Sequence, residues 1–115
     1  TVAQPKKEDK VDETYVRDFL FITVQKKKVK ILFSDILYIE SQKQYIKVVT
    51  AKKEYLSKIS THEIEDLLPS HLFVRIHRSF IIALSKIDSY TAEEVEIHGF
   101  TIPVGRNYRS SIENL

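Results

Sequence analysis

The stretch RIHRSFIIAL, residues 75–84, places a charged segment directly before an apolar one. Its second half, Phe80 to Leu84, is an unbroken apolar run of the length expected for a buried strand. Its first half brings Arg75, His77 and Arg78 to the entrance of that strand. Such a charged group is either a solvated strand end or a surface that faces something negatively charged. These ten residues alone leave both interpretations open.

Outward from this stretch, the chain consists mainly of short segments with the composition of β-strands. They are rich in Ile, Val, Phe, Tyr and Thr and alternate approximately in polarity, which favours strands. The predicted strands are FLFITVQ (19–25), KVKILF (28–33), DILYIES (35–41), QYIKVVT (44–50), EYLSKI (54–59), FVRI (73–76), SFIIAL (79–84), KIDSY (86–90), EVEIH (94–98) and FTIPV (100–104). The polar breaks between the first five predict hairpin connections at KKK (26–28), SD (34–35), SQKQ (41–44) and AKK (51–53).

Two segments break the strand pattern and predict short helices. In STHEIEDLLP (60–69), Ser60 and Glu63 have the spacing of a capping box, and Pro69 ends the helix. The last segment, GRNYRSSIENL (105–115), has the apolar spacing of a short amphipathic helix. The apolar residues that carry these patterns are Ile64, Leu67 and Leu68 in the first and Tyr108, Ile112 and Leu115 in the second. The chain is therefore predicted to be mostly β, with one central and one C-terminal helix.

The composition predicts one globular domain. Of the 115 residues, 43% are hydrophobic and 30% charged, which is typical of a folded protein. The polar residues 1–16 have few large apolar side chains and are predicted to be a flexible linker or tail, which leaves 17–115 as the domain. The chain does not begin with Met and is therefore expected to be a fragment or a processed product.

Several classes of protein are excluded or disfavoured by the composition. The chain has no cysteine, which excludes disulfides, thiolate nucleophiles and cysteine zinc sites. It has no apolar run near the roughly 20 residues of a membrane helix and no signal peptide, so we expect a cytoplasmic protein without a membrane partner. A formal net charge of +2 does not by itself require a nucleic acid.

The sequence gives no support for a catalytic or metal site. The segment from His62 to Asp66 resembles a zincin motif, which needs a second histidine four residues after the first so that both share a helix face. Here that position is occupied by Asp66. Ser79 and His77 lie two residues apart on one predicted strand, a spacing that does not form a nucleophile–base pair. No nucleophile elbow or Gly-rich phosphate loop is present. We therefore expect no catalytic residue, no metal and no cofactor.

The basic residues are more informative because they cluster near the ends of segments. One group, Lys26 to Lys30, is predicted to occupy a turn, and Lys43 and Gln44 another. Further groups are Arg75, His77 and Arg78 at a third junction, and Arg106, Asn107 and Arg109 at the start of the last helix. Each group alone is more often a solvated loop. Arg, Asn and Gln pair bidentately with base edges and Lys suits phosphates, so several such loops together predict a nucleic-acid surface.

Three motifs in order resemble the LytTR family of bacterial DNA-binding domains. They are DILYIESQKQYIKVVT (35–50), FVRIHRSFIIALSKI (73–87) and IPVGRNYR (102–109), with the predicted helix between the first two. The pattern Arg-x-His-Arg-Ser-Phe at 75–80 is the most specific, and Pro103-Val104-x-Arg106 supports it. The resemblance runs from about Phe19 to the C-terminus.

The resemblance implies an elongated, largely antiparallel β domain that enters double-stranded DNA with its connecting loops. Family members place such loops in two successive major grooves and in the minor groove between them. Carried onto this sequence, the base-contacting residues are Lys43, Gln44, Arg78 and Arg106. The residues implied to contact the DNA backbone or to support these contacts are His77, Asn107, Arg109 and Lys28. Arg75 stays open between a structural role and a contact.

Three positions depart from the family pattern. Gln44 stands where the family often has Asn, Ala83 where an Asn usually follows the apolar run, and Gly105 where Ser usually precedes the arginine. We expect Gln44 to affect which bases are read. Gly105 is a weaker helix cap than Ser but allows close backbone approach.

The resemblance implies a sequence-specific output domain of a bacterial transcription regulator, namely a response regulator of a two-component system. The expected partners are tandem direct repeats of double-stranded DNA bound by two copies, as a homodimer on DNA, and an upstream receiver domain expected to be absent from this fragment. The alternative is a β-rich protein-interaction module whose basic loops bind an acidic partner. RNA binding is a weaker third option, because no aromatic pair is expected to be exposed on a sheet face.

Overall fold

The computed structural model describes residues 18–113 and 115, so the predicted linker 1–16 lies outside the described residues. In the described part, the elements follow in the order β1 (Phe19–Val24), β2 (Lys27–Leu32), β3 (Ile36–Ser41), β4 (Ile46–Thr50), β5 (Glu54–Ser57), α1 (Thr61–Leu67), β6 (Phe73–His77), β7 (Phe80–Ala83), β8 (Ser89–Tyr90), β9 (Glu94–Ile97), β10 (Phe100–Pro103) and α2 (Arg109–Glu113). Short 3-10 turns lie at Phe33–Asp35, Leu84–Lys86 and Arg106–Tyr108. The mostly β fold with a central and a C-terminal helix is therefore confirmed.

A five-stranded antiparallel sheet forms the centre of the fold. Its strand order is β5-β4-β3-β7-β6. Strand β7 lies between β3 and β6, so neighbours flank it on both sides. Ile81 packs into the core on one face of the sheet and Ile82 into the core on the other. The unbroken apolar run of the 75–84 stretch is explained by this interior position, since a strand covered on both faces needs apolar residues at both parities.

Two apolar cores cover the two faces of the central sheet. The first joins the β1–β2 hairpin and α1 to the sheet, and its members include Leu20, Ile22, Ile31, Ile39, Val48, Ile64 and Ile81. The second joins the three-stranded sheet β10-β9-β8 and α2 to the opposite face, through Tyr38, Val49, Ile76, Ile82, Val95, Ile97, Ile102 and Ile112 among others. This layered arrangement is elongated, with principal extents of 46 × 32 × 24 Å. No helix in the described residues is long and apolar enough to span a membrane.

Two of the predicted hairpin connections are corrected by the structure. The β1–β2 turn consists of Gln25 and Lys26, which have φ of 52° and 69°, so Lys27 to Lys30 lie in strand β2 and not in the turn. A two-residue turn with both residues left-handed matches the twist of the flanking strands. The predicted hairpin at 34–35 is wrong. Because β2 pairs with β1 while β3 pairs with β4 and β7, the Phe33–Asp35 turn carries the chain from the small sheet to the central one.

The other two predicted hairpins are confirmed. Strands β3 and β4 are joined through Gln42–Tyr45, where the Gln42 N–H donates to the Tyr45 carbonyl at 2.8 Å. Strands β4 and β5 are joined through residues 51–53, where the Thr50 N–H donates to the Lys53 carbonyl at 2.9 Å. These two connections lie at opposite ends of β4, which spans about 17 Å at the usual rise of a strand.

Helix α1 begins at the predicted capping box. The Glu63 N–H donates to Ser60 Oγ at 3.0 Å, and the Ser60 N–H donates to Glu63 Oε1 at 3.1 Å. Ile64 and Leu68 are buried, whereas Leu67, the last residue of the helix, is 45% exposed.

Replacing Ser60 with alanine is expected to lower the free energy of unfolding by about 0.5–2 kcal/mol, because the capping box loses its side-chain acceptor. Hydrogen bonds from the Ser60 backbone and side chain hold the pKa of Glu63 below its ordinary 4.5. Because the pKa of Glu63 is lower in the folded than in the unfolded protein, its ionised carboxylate stabilises the fold at pH values above the unfolded pKa. This stabilisation is lost as the pH falls through the folded pKa. Urea denaturation at pH 7 tests the stability loss. Carboxyl NMR should show a smaller lowering of the Glu63 pKa in the variant, because the Ser60 hydroxyl is lost while the backbone N–H of residue 60 remains.

The matched control is Ser70→Ala, since Ser70 is exposed in a turn that follows α1. We expect this control to change the free energy of unfolding by no more than about 0.5 kcal/mol. Equal losses in both variants would contradict the capping role of Ser60.

The C-terminal helix is shorter than predicted. Arg106–Tyr108 form a 3-10 turn, and α2 proper begins at Arg109. Ile112 is buried in the second core and Tyr108 packs against that core, as the spacing predicted. Leu115, at the end of the chain, is half exposed, so its predicted place on the apolar face is wrong. The helix ends at Glu113 and therefore does not carry Leu115 onto the buried face.

Candidate nucleic-acid interface

Three connections that carry basic residues meet at one end of the central sheet. They are the β3–β4 hairpin (Gln42–Tyr45), the β6–β7 turn (Arg78 and Ser79) and the segment after β10 (residues 104–109). The Ser41 N–H, at the end of β3, donates to the Ser79 carbonyl at 2.7 Å. The Gly105 N–H donates to the Ile76 carbonyl on edge strand β6 at 2.7 Å. These two bonds hold the three connections side by side. We call the surface formed by the three connections the basic end of the sheet.

The β6–β7 turn presents Arg78 to solvent and holds His77 in a defined orientation. The Ser79 N–H donates to His77 Nδ1 at 3.0 Å. A neutral imidazole that accepts at Nδ1 carries its proton on Nε2, so the second ring nitrogen is a donor. The ring also packs edge-on against Phe80, with centroids 5.4 Å apart. His77 is thus a half-buried support of the turn whose Nε2–H can serve a ligand, while the Arg78 side chain is exposed.

Arg75 has its guanidinium in the same turn and not in solvent. Its Nη2 donates to the Arg78 carbonyl at 2.6 Å, and its Nε donates to the His77 carbonyl at 3.3 Å. Its Nη1 pairs with Glu65 Oε1 on α1 at 3.3 Å. The guanidinium carbon also lies 5.9 Å from the centre of the Tyr108 ring. These contacts give Arg75 a structural place in the turn.

The last connection approaches the β6–β7 turn closely because residue 105 is glycine. A Cβ at Gly105 would lie 3.0 Å from Tyr108 Cδ2, tighter than ordinary van der Waals contact, and 3.4 Å from His77 Cα, at the short end of ordinary contact. Gly105 precedes the 3-10 turn, and the Tyr108 N–H donates to its carbonyl at 2.8 Å. Arg106 and Asn107 are exposed on that turn and follow directly after Gly105, which lies against His77. This geometry agrees with the prediction from the sequence that Gly105, although a weaker helix cap than serine, allows close approach of the backbone.

The β3–β4 hairpin exposes the third group of predicted residues. Lys43 and Gln44 are exposed at its tip, and Tyr45 is partly exposed beside them. The hairpin forms one wall of a shallow depression whose other wall includes Lys58, which follows β5, and Ser60. Lys58 was not predicted to be part of the surface, because it lies inside the predicted strand 54–59 and carries no local signal. The fold, by folding β5 back on β4, brings it to this hairpin.

Lys28 lies in strand β2, and the fold nevertheless brings it toward the basic end. It lines a groove of about 940 Å³ together with Tyr45, Leu56 and Lys58. Lys28 is exposed on the two-stranded sheet and so contributes positive charge beside the β3–β4 hairpin. The predicted turn position was wrong, while the nearness to the hairpin was not visible in the sequence at all.

The charges at the basic end are only partly neutralised. Within the described residues, the Arg78 and Arg106 side chains have no ion-pair partner. Arg109 pairs with Glu93 at 3.9 Å, a long and exposed contact of the kind that adds little stability. Exposed guanidinium groups without acidic partners are suited to bind anions and to pair bidentately with base edges.

Two alternatives from the sequence can be placed on the structure. His62 pairs with Asp66 at 3.7 Å on the exposed face of α1, and the described residues contain no group of three His, Asp or Glu placed to hold a metal ion. Phe19 and Phe21 form an edge-to-face pair on β1 with centroids 5.6 Å apart, in which Phe21 is exposed and Phe19 only partly exposed. Lys30 covers the Phe19 ring at 4.5 Å, so the pair is not an open platform for stacked bases.

Comparison with known proteins identifies a family and similar solved structures. The family model described as LytTr DNA-binding domain matches residues 26–115. A solved structure, described as the LytTr DNA-binding domain of a methyl-accepting/DNA response regulator from Bacillus cereus, is similar with a TM-score of 0.73 and 25% sequence identity. That match covers 86% of this chain and 96% of the other. No curated protein matches the chain.

Proposed function

Because the chain belongs to the LytTr DNA-binding domain family, we propose that it is the sequence-specific DNA-binding output domain of a bacterial response regulator. Its task would be transcription regulation on chromosomal DNA in the cytoplasm, without catalysis. The related Bacillus cereus domain, which is described as part of a DNA response regulator, supports this assignment.

One observation carries the proposal further than family membership. Three connections from distant parts of the chain are hydrogen-bonded side by side, and they present Arg78 and Arg106 exposed and without acidic partners among residues 18–113 and 115. A purely structural arginine at a strand end usually gains a carboxylate or a carbonyl, as Arg75 does. Two uncompensated guanidinium groups on a rigid sheet end are instead a preorganised cationic surface, which favours binding of a polyanion.

Each predicted residue has a role consistent with its position. Lys43 and Gln44 on the β3–β4 hairpin, Arg78 on the β6–β7 turn, and Arg106 after β10 would reach base edges, because they are exposed at the tips of connections. In the family's manner, the connections would enter two major grooves and the minor groove between them. The supporting residues, which would contact phosphates or hold the turns, are His77, Asn107, Arg109 and Lys28.

The chemistry separates affinity from specificity. Neutralisation of phosphates by Lys and Arg releases counterions, so the affinity should fall steeply as salt is raised, with a slope of roughly −0.9 per phosphate contact. Bidentate pairing of an arginine with guanine adds about 1–3 kcal/mol of discrimination at one base position. Lys58, found only in the structure, would join the phosphate contacts next to Lys43.

The partners of the proposed regulator follow from the same assignment. An upstream receiver domain would supply the signal, and the DNA target would be a tandem direct repeat occupied by two copies. Dimerisation would then come from the DNA or from the receiver domain.

The test of the function is selection from a random duplex library at near-physiological salt with the wild-type chain. We expect recovery of a shared motif, and competition by a duplex that contains it but not by a scrambled duplex of equal length. Indifferent binding of all duplexes would overturn the proposal and favour the alternative, a β-rich protein-interaction module with basic loops for an acidic partner. Equal competition by single-stranded RNA would favour the RNA reading.

A further inference from the structure

Arg75 occupies an unusual place for a charged residue on an edge strand. It lies on β6, and its guanidinium contacts the backbone of the β6–β7 turn that follows this strand. Three of its nitrogens are used inside the domain, one on the Arg78 carbonyl, one on the His77 carbonyl and one on the Glu65 carboxylate of α1. Only 26% of the side chain is exposed. Sequence alone left open whether this residue contacts a ligand or holds the structure.

We propose that Arg75 is a positioning residue for DNA reading, which fixes the turn that carries Arg78 and ties it to α1 and to the last connection. It acts through Arg78 and His77 and does not itself read a base. This inference rests on the proposed function and adds to it a residue outside the predicted set.

The geometry of the turn explains why such a brace is needed. Arg78 and Ser79 connect β6 and β7, and the pairing of these strands is irregular between Arg75 and His77. Arg78 lies inside the two-residue turn and outside the pairing of β6 with β7. The guanidinium supplies donors for two consecutive carbonyls at once, and a charge-assisted bond is about twice as strong as a neutral one. These bonds fix the backbone at Arg78 and so limit the directions in which its exposed side chain can extend.

Two further contacts make the brace a link between elements. Glu65 holds one arm of the guanidinium from α1, which packs in the first core. The Tyr108 ring, 5.9 Å away, belongs to the 3-10 turn that carries Arg106. The two arginines proposed to read bases are thus held in one frame, because the same side chain touches both of their turns. A planar fork with several fixed donors can do this, whereas the single ammonium of lysine cannot.

The first variants are Arg75→Gln and Arg75→Lys, compared with Arg109→Gln. We measure their affinities for the duplex selected by the wild type and for a scrambled duplex of equal length. If Arg75 positions Arg78, both Arg75 variants should lose about tenfold in affinity for the selected duplex, with a much smaller change for the scrambled one. Arg109→Gln, which removes an exposed charge, should weaken both duplexes to a similar extent.

Free-protein NMR supplies a readout that does not depend on DNA. In Arg75→Gln the backbone amide signals of Ser79 and Gly105 should shift, while those of the remote β4–β5 hairpin (51–53) stay in place. Thermal unfolding shows that each variant is folded at the assay temperature. Glu65→Gln, which leaves the two carbonyl bonds intact, should show the same changes at smaller size, and it keeps the proposal testable if Arg75→Gln does not fold.

The outcomes separate this inference from the function on which it rests. Full rescue by lysine, or equal losses on both duplexes, would show a plain charge contact and overturn the positioning role. Unshifted Ser79 and Gly105 amides with unchanged discrimination would also overturn it. Absence of sequence preference in the wild type would instead overturn the proposed function, and the inference with it.

Discussion

The variants Arg78→Ala and Arg106→Ala should each lose sequence discrimination, and each at a different part of the DNA site. The side chains lie on different connections of the basic end, so each is expected to read its own base pair, worth about 1–3 kcal/mol per position. Selection with each variant should return the wild-type motif relaxed at one position or step. Competition with duplexes that carry single base changes then assigns each arginine to its base.

The control for this experiment is Lys52→Ala. Lys52 lies on the β4–β5 hairpin at the opposite end of β4, is exposed, and carries the same charge as the arginines. We expect it to change affinity slightly and specificity not at all. A motif that stays intact in Arg78→Ala and Arg106→Ala, with affinity alone reduced, would show that both arginines contact phosphates and that bases are read by other residues.

Ile76→Ala is expected to lower the free energy of unfolding strongly. The side chain is fully buried in the second core, although its neighbours in sequence, Arg75 and His77, are polar. Truncation of a buried Ile leaves a cavity and costs about 2–5 kcal/mol, a large share of the roughly 5–15 kcal/mol that hold a typical domain together. Urea denaturation followed by circular dichroism measures the loss.

The same substitution should weaken DNA binding without touching a base contact. The Ile76 carbonyl accepts the Gly105 N–H, so disorder at this strand position loosens the connection that carries Arg106. Leu56→Ala is the matched control, because Leu56 is 47% exposed on β5. A cost below about 1 kcal/mol for Ile76→Ala, equal to that of Leu56, would contradict tight packing of the second core around edge strand β6.

Local features of the fold were predictable because they depend on residues close in sequence. The enrichment in strand-forming residues and their approximate alternation in polarity located all the strands of the described residues to within about three residues. The capping box located the start of α1, because Ser60 and Glu63 bond to each other within one turn. The wrong hairpin is an error of another kind, because the pattern there had to be completed by distant residues. Residues 34–35 were predicted to be a hairpin connection, and only the pairing of β3 with β4 and β7 shows that this segment connects two sheets.

The site was predicted as a list of residues and not as a surface. Arg, Lys and Gln at segment ends, together with the family resemblance, pointed to Lys43, Gln44, Arg78 and Arg106. Nothing in their spacing showed that they lie side by side, because that depends on the Ser41–Ser79 and Gly105–Ile76 hydrogen bonds across the sheet. Lys58 and the inward position of the Arg75 guanidinium were invisible for the same reason.

By itself, the sequence determined that this is a mostly β domain with two short helices, and that basic residues concentrate at its turns. Those properties follow from side-chain chemistry and from periodicity along neighbouring residues. The tertiary structure alone decided the strand order β5-β4-β3-β7-β6 and the division of the apolar residues between two cores. It also decided which arginines face solvent and which one braces a turn. The physical reason is that strand pairing joins residues far apart in the chain, and a guanidinium takes its role from the carbonyls and carboxylates that this pairing brings within reach.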